Sequence, residues 1–366
     1  MEKQKLNIAF AAIDPYLEDN IIANNQTEIK GQDLVMYGDR NIYPNYLYQL
    51  YENVSVLKSI VNGISGCFSN IDINLEQYKK QVNDQGDTIE DVVKQAIIDY
   101  LIYGGFALNI VRNRMGGIAG IYNLDYKCIR SDKKNTKFYY SADWAKTSVG
   151  RVKSVTYPAY DPDDKSQASS IYYYKNEKYA TYPSPSWGGS VKSAEAIAHI
   201  ADFHLNSLYN GLTSDYIVNL NAGVPTDEVK EEIEEGWNER FTGWQNGGRN
   251  ILSWNPDFAH RTTIEAIPQN GFIDKYNALE KTAKQDIYCA FNISPAILGL
   301  PSENTGFNDN DINESWKLAK AFVFTPILKT MKRAFEKIFG VPEVLTIEPI
   351  EIDWTNDKKE NDQDIK

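Results

Sequence analysis

Cysteine is scarce, three in 366 residues. Cys67, Cys128 and Cys289 are odd in number and far apart, which excludes a disulfide scaffold and fits a reduced compartment. No run of about 18 apolar residues exists to span a bilayer. Leu6 to Ile13, behind Lys3 and Lys5, is the one candidate targeting segment. It is cut off by Asp14-Pro15 and preceded by Glu2, and it reads as a buried first strand or arm and not as a secretory core. Nucleotide-loop, Cys-x-x-Cys, G-x-S-x-G and H-E-x-x-H strings are all missing; Gly243 to Arg249 is glycine-rich without the required lysine. The three histidines make no metal set, since His199 and His204 lie on different faces of one helix and His260 has no partner. No internal repeat or low-complexity tract occurs. The sequence therefore assigns no catalytic residue, no metal and no cofactor. Basic residues are also in deficit: 38 Lys and Arg against 50 Asp and Glu, a net charge of -12. That argues against a protein gripping nucleic acid with its whole surface, because such affinity comes from neutralising phosphates.

What is present is a globular composition, 42% hydrophobic and 24% charged, long enough for two domains or one with an extension. Residues 43 to 69 space Leu47, Leu50, Val54, Leu57, Ile60, Val61, Ile64 and Phe68 as a helix, with Pro44 in its first turn. Residues 88 to 103 predict a second helix with Thr88 and Asp91 as a capping box, ended by Gly104-Gly105. A strand, a Gly116-Gly117 turn and another strand follow. Lys137 to Tyr182 is Tyr-rich and predicts a small antiparallel sheet. Tyr182-Pro183-Ser184-Pro185-Ser186-Trp187 leads into a helix from about Ser190 to Tyr209. Beyond it, 213 to 268 reads as strand, acidic helix, strand: Asp215 to Asn221, a helix capped by Thr226 over Asp227 to Phe241, and Asn250 to Trp254. The next helix, about Phe272 to Phe291, puts Phe272, Tyr276, Leu279, Ala283 and Ile287 on one face.

The most informative stretch is Tyr288 to Phe339. A helix stops at Ile293-Ser294-Pro295, a polar loop follows, and a second long helical pattern carries Pro326 in its middle. Apolar spacing continues through Ile312, Trp316, Ala319 and Val323 before the proline and Ile327, Met331, Ala334, Phe335 and Ile338 after it. That pattern predicts a kink and not an end. At its start, Asn308 to Asn313 has the look of a calcium loop, but Glu314 stands where glycine is needed and Lys320 where the bidentate Glu is needed. Asp311 reads better as a helix cap, with Glu314 reaching back.

The order Phe-x-Ile-x-Pro-x-x-Leu-Gly (Phe291 to Gly299), polar loop, then Phe324-Thr325-Pro326-Ile327 in a long helix resembles the portal proteins of tailed bacteriophages. These form a ring at one capsid vertex through which DNA passes. The helix and hairpin at 88 to 123, and the Tyr-Pro-x-Pro-x-aromatic step into a helix, are similar to portals as well. The resemblance implies an α+β, elongated portal-type subunit. Its parts would be a wing (1–190), a stem helix (191–212), a small α/β clip (213–268), a second stem helix (269–292), a tunnel loop with a long kinked helix (293–340), and an acidic tail or reduced crown (341–366). It implies a ring, commonly a dodecamer, working in genome packaging, retention and ejection and in tail attachment. The implied partners are the major capsid protein, the terminase large subunit, a head-tail adaptor or connector, and double-stranded DNA, with no membrane. The implied location is the virion, after assembly in the host cytoplasm. Pro301, Ser302, Glu303, Asn304, Thr305, Gly306, Phe307 and Asn308 would form the loop facing DNA. Glu231, Glu232, Glu235, Trp237, Arg240 and Trp244 would belong to the clip surface that meets terminase and adaptor. An acidic wall suits a conduit, because strong phosphate contacts would trap a sliding polyanion.

Three readings stay open on residues alone. Lys317, Lys320, Lys329, Lys332, Arg333 and Lys337 make the last helix basic, as a solvated face, a DNA contact or a contact with an acidic subunit surface. Glu231, Glu232, Glu234 and Glu235 beside Trp237 and Trp244 would suit a secreted glycan-binding or glycan-cleaving protein, although adjacent glutamates diverge around a helix axis. Another virion ring or connector protein would lack the loop between two long helices. The C-terminal stretch from Glu343, with eight acidic and three basic residues, is expected to fray after Trp354.

Overall fold

The computed structural model describes residues 22–29, 33–148, 153–210, 216–220, 226, 229, 251–254, 263–266, 272–299 and 309–350. By packing, the chain divides into two units, one of Met1–Lys192 with Tyr288–Lys366 and the other of Ser193–Ile287. Helices and strands are mixed, and the described strands form four small sheets. This is an α+β fold.

The first unit opens with α1 (Tyr43–Asn53) and α2 (Ser55–Gly66), where the periodicity predicts one helix to residue 69. Val54 breaks it with an extended backbone, φ -102° and ψ 103°. Leu50, Val54 and Leu57 are all buried, so the apolar spacing runs through the break and conceals it. The end of that pattern is also corrected: α2 stops at Gly66, and Phe68 begins a strand, β1 (Phe68–Ile73). Its antiparallel partner is β11 (Leu345–Pro349), from the stretch assigned to an acidic tail. Val344, Leu345 and Ile347 are buried, so their chain segment belongs to the core.

The second helix of the sequence reading, α3 (Ile89–Tyr103), starts at the expected capping box. Thr88 Oγ1 accepts from the Asp91 N–H, and Asp91 accepts from the Thr88 N–H. It ends at Gly104, φ +80°, where a Cβ would lie 2.3 Å from the Ser184 carbonyl oxygen. The chain then enters β2 (Gly105–Arg112), the centre of a sheet ordered β3-β2-β7, with β3 (Ile118–Asn123) and β7 (Ser169–Lys175) both antiparallel to it. Phe106, Ala107, Leu108 and Ile110 are fully buried on β2, the signature of a strand covered on both faces.

The Tyr-rich region supplies two sheets and not one. Besides β7, it gives β5 (Lys137–Tyr140) and β6 (Val155–Pro158), which join β4 (Ile129–Ser131) in the order β4-β5-β6. The short helix α4 (Trp144–Ser148) follows β5. The tyrosines fill the core between these parts. Tyr37 stacks on Tyr182 with ring centroids 4.2 Å apart, and Tyr126 stacks on Tyr103 and Tyr173. Trp187, from the proline-stiffened approach, is fully buried and donates its indole N–H to the Leu101 carbonyl at 3.1 Å.

In the second unit, α5 (Val191–Asn210) and α6 (Phe272–Phe291) stand close to their expected bounds. Between them in sequence is a sheet ordered β10-β8-β9, from β8 (Tyr216–Leu220), β9 (Ile251–Trp254) and β10 (Thr263–Ala266). β8 and β9 are parallel, a pairing that requires a crossover connection, while β10 is an antiparallel strand that the sequence reading did not contain. The acidic helix expected over 227–241 lies outside the described residues apart from Val229, which is helical. The expected apolar face of α6 is only partly covered. Ala283 and Ile287 are buried, whereas Leu279 is 48% exposed. On α5, Ala194, Ile197 and Ile200 are buried, whereas Phe203 and Leu205 are 41% and 49% exposed, Phe203 resting on the Tyr276 ring.

Candidate functional site

The candidate site is the long C-terminal helical run and the turn that leads toward it. Helix α6 ends at Phe291, Asn292 takes φ +52°, and the Ser294 hydroxyl caps a 3-10 turn, Pro295–Leu298. Gly299, φ +73°, then closes that turn. The loop residues Pro301, Ser302, Glu303, Asn304, Thr305, Gly306, Phe307 and Asn308 lie outside the described residues. So do Glu231, Glu232, Glu235, Trp237, Arg240 and Trp244 of the expected clip surface.

Helix α7 spans Asp309–Ala319. It starts two residues before the expected cap, so Asp311 lies inside its first turn. A carboxylate there still complements the helix dipole, which is why composition alone misplaces the start. The run continues through a π-helical turn, Lys320–Phe324, into α8, Thr325–Phe339. Pro326 therefore does not end the helix. A proline has no N–H to donate, and in a regular α-helix its ring collides with the carbonyl four residues earlier, here Phe322. The wider π turn lifts that constraint. Both the N–H and the hydroxyl of Thr325 donate to the Lys320 carbonyl, the hydroxyl at 2.6 Å. The sequence reading names Thr325 only within the portal-like string and gives it no role of its own; its signal is a hydrogen-bonding side chain immediately before a mid-helix proline.

One face of this run is core. Ala319, Val323, Phe324, Ile327, Met331, Ala334, Phe335 and Ile338 are all buried. Phe324 meets the rings of Phe68 and Trp316 at 5.7 and 5.2 Å, and Phe339 meets Tyr78 at 5.0 Å. The Ile338 carbonyl accepts from the Tyr160 hydroxyl. Gly340, φ +67°, supplies the left-handed cap. The opposite face carries Lys317, Lys320, Lys329, Arg333 and Lys337 exposed to solvent, with Lys332 half-buried. Pro326 is exposed on that side too. From Lys317 to Lys337 six basic residues stand against one acidic, Glu336, in a chain with an acidic excess. The same face bears Leu318 and Phe322, 58% and 67% exposed. The sequence reading did not single out that apolar pair.

A fully buried cation lies elsewhere, at Arg130. Its guanidinium is fully buried and, among the described residues, faces no carboxylate. Instead it donates to the side chain and backbone carbonyl oxygens of Asn41 and to the carbonyls of Lys127 and Ile129. The rings of Trp144 and Tyr37 lie over it at 5.1 and 5.7 Å. Burial pulls its pKa down to about 10, which leaves it charged at neutral pH. Asn41 is held at φ +60° by these contacts and by the Tyr37 N–H. This network locks the first residues before α1 to β4. Among the described residues no cluster of metal-ligating side chains occurs, and no helix is long and apolar enough to cross a membrane.

No family model matches the sequence, and no curated protein matches it. Solved structures do match in fold. A chain from the neck of an empty gene transfer agent particle, reconstructed with C6 symmetry, aligns with TM-score 0.55 at 13% identity, covering 87% of each chain. A chain from the virion of the native gene transfer agent particle aligns with TM-score 0.54 at 13% identity over 88% of each. The crystal structure of an HK97-family phage portal protein from Corynebacterium diphtheriae aligns with TM-score 0.51 at 12% identity. That match covers 83% of this chain and 94% of that one. The run of elements described above, from the α3–β2–β3 core to the proline-bearing last helix, is thus a phage portal-type fold.

Proposed function

We propose that this protein is a portal subunit, forming a ring-shaped channel at one capsid vertex for genome packaging, retention and ejection and for attachment of the tail adaptor. The observation that carries the proposal is the extent of the fold match, 94% of the HK97-family portal protein, with no large part of that chain left uncovered. In this reading the protein is not an enzyme and needs no cofactor. Its partners are copies of itself, the major capsid protein, the terminase large subunit, an adaptor and passing DNA, and it resides in the virion after assembly in the host cytoplasm. The two stem helices are α5 and α6, and their exposed Phe203, Leu205 and Leu279 are what a subunit awaiting neighbours would present. Residues 301–308 are proposed as the loop facing DNA, and the acidic surface around Glu231 to Trp244 as the terminase and adaptor contact.

Electron microscopy of the purified full chain tests the ring directly. Closed rings of about twelve subunits are expected; a strictly monomeric species at micromolar concentration, with no rings in capsids, refutes the proposal. Shortening the 301–308 loop should leave rings intact and impair packaging or retention of DNA. Normal packaging by that variant would remove the loop from the channel.

A further inference from the structure

The outer face of the last helical run is not uniform. Its exposed residues fall one turn apart in two tracts. Leu318, Phe322 and Pro326 form an apolar tract, and Lys329, Arg333 and Lys337 continue the same face as a basic one. A surface that only faces a sliding polyanion has no physical reason to expose a leucine and a phenylalanine, because neither contributes to phosphate attraction and both are more stable when covered from water. A surface that docks on protein needs both tracts: a large apolar side chain as anchor and a charged rim that fixes orientation.

Resting on the portal reading above, we infer that Leu318 and Phe322 anchor a subunit-to-subunit contact, inserting against the adjacent copy of this chain, with Lys329, Arg333 and Lys337 at its rim. Charge complementarity names the occupant. The tract from Lys317 to Lys337 carries six basic residues and one acidic, while the chain as a whole carries 50 acidic and 38 basic. A second copy is therefore an acidic partner for this face. Residues two apart on a helical run point to nearly opposite sides, so Phe324 faces inward onto Phe68 and Trp316 while Phe322 stays 67% exposed. A ring contact of this kind is heterologous, one face of each copy meeting a different face of the next, so an unpaired face on the free subunit is required by closure.

The test uses the full chain. Phe322→Asp should lower the fraction of protein in rings, measured by mass photometry, about tenfold or more. The melting temperature of the dissociated subunit should stay unchanged, and Phe322→Leu should retain rings. Rings as abundant with Phe322→Asp as with the native residue overturn the inference while leaving the portal reading standing. A native protein that forms no rings overturns both. A second measurement covers a variant that misfolds: Phe322→Cys in a Cys289→Ser background, carrying a thiol-linked photo-crosslinker, irradiated in assembled particles. Cross-links to a second copy support the inference. Cross-links to DNA, to the capsid protein or to none of these overturn it.

Discussion

Phe322 and Phe324 are the same residue type two positions apart on one helical run, yet Phe324 is fully buried and Phe322 is 67% exposed. The inner face is packed against β1, Trp316 and the aromatic core; the outer face carries exposed Leu318 and Phe322, and at its far end Lys337 lies over the Tyr172 ring. Hydrophobicity alone does not separate them. The lesson is that one face of the run supplies the subunit's own stability and the other is reserved for what lies outside it, so substitutions on the two faces should fail in different assays.

The largest expected effect comes from breaking the inner face. Phe324→Ala should destabilise the isolated subunit by about 3–5 kcal/mol, the range for emptying a buried phenylalanine site, read from denaturant unfolding of the monomer. A loss below about 1 kcal/mol would mean that the helix packs more loosely than its burial indicates.

The next concerns a buried group away from the helix. Asp99 on α3 lies in the core, and burial drives its carboxyl up to about 8, against a lowering contribution from the Gln95 amide, which donates to it at 3.1 Å. The folded state thus keeps a proton that the unfolded chain releases near the ordinary value of 3.8. Linkage then makes its contribution fully present below about pH 4, lost progressively up to about pH 8 and level above. Asp99→Asn should remove that decline, so the variant's advantage in stability should grow across the same interval. Parallel pH profiles of the two proteins would contradict the buried carboxyl's role.

A smaller effect is expected where the two faces are set. Pro326→Ala restores an N–H toward the Phe322 carbonyl and should stabilise the subunit by about 1 kcal/mol. That is less than the ~3 kcal/mol of a proline in a straight helix, because the π turn already absorbs most of the conflict. A structure of the variant sharpens the comparison: a π turn that persists would show that the packing of Phe324, not the proline, maintains it. The smallest effect belongs to the outer face. Phe322→Ala should change monomer stability by less than about 0.5 kcal/mol, as for an exposed site without special contacts. A loss comparable to that of Phe324→Ala would erase the distinction.

How much of this was legible depends on how local the cause is. Thr88, Asp91 and Gly104 bracket α3 by short-range hydrogen bonds and backbone conformation, and the sequence shows all three. The hairpin of β2 and β3 is legible for the same reason, its turn held by the Asn113 side chain accepting from Met115 and Gly117. The pairing of β1 with β11 was not legible, because it joins residues more than 250 positions apart and an irregularity between Ser69 and Asp72 interrupts the alternation of β1. The break at Val54 was hidden by apolar spacing that continues across it. At the candidate site, the basic stripe and Pro326 could be read directly, whereas the exposure of Leu318 and Phe322 could not, since a periodic pattern does not say how many of its apolar positions the core can cover.

By itself, the sequence determined the helices with strong caps, the small strands of the middle region, the acidic balance with one basic helix, and the order of elements that resembles a portal. Only tertiary structure decided that the Tyr-rich region feeds two sheets, that Arg130 is buried against carbonyls and rings, that the C-terminal stretch closes onto β1, and that a π turn interrupts the last helix before Pro326. The physical reason is range. Capping, turn conformation and helical period act between residues a few positions apart and are written in their neighbours, while burial is a competition among all apolar side chains for a limited interior, whose outcome exists only once the chain has folded.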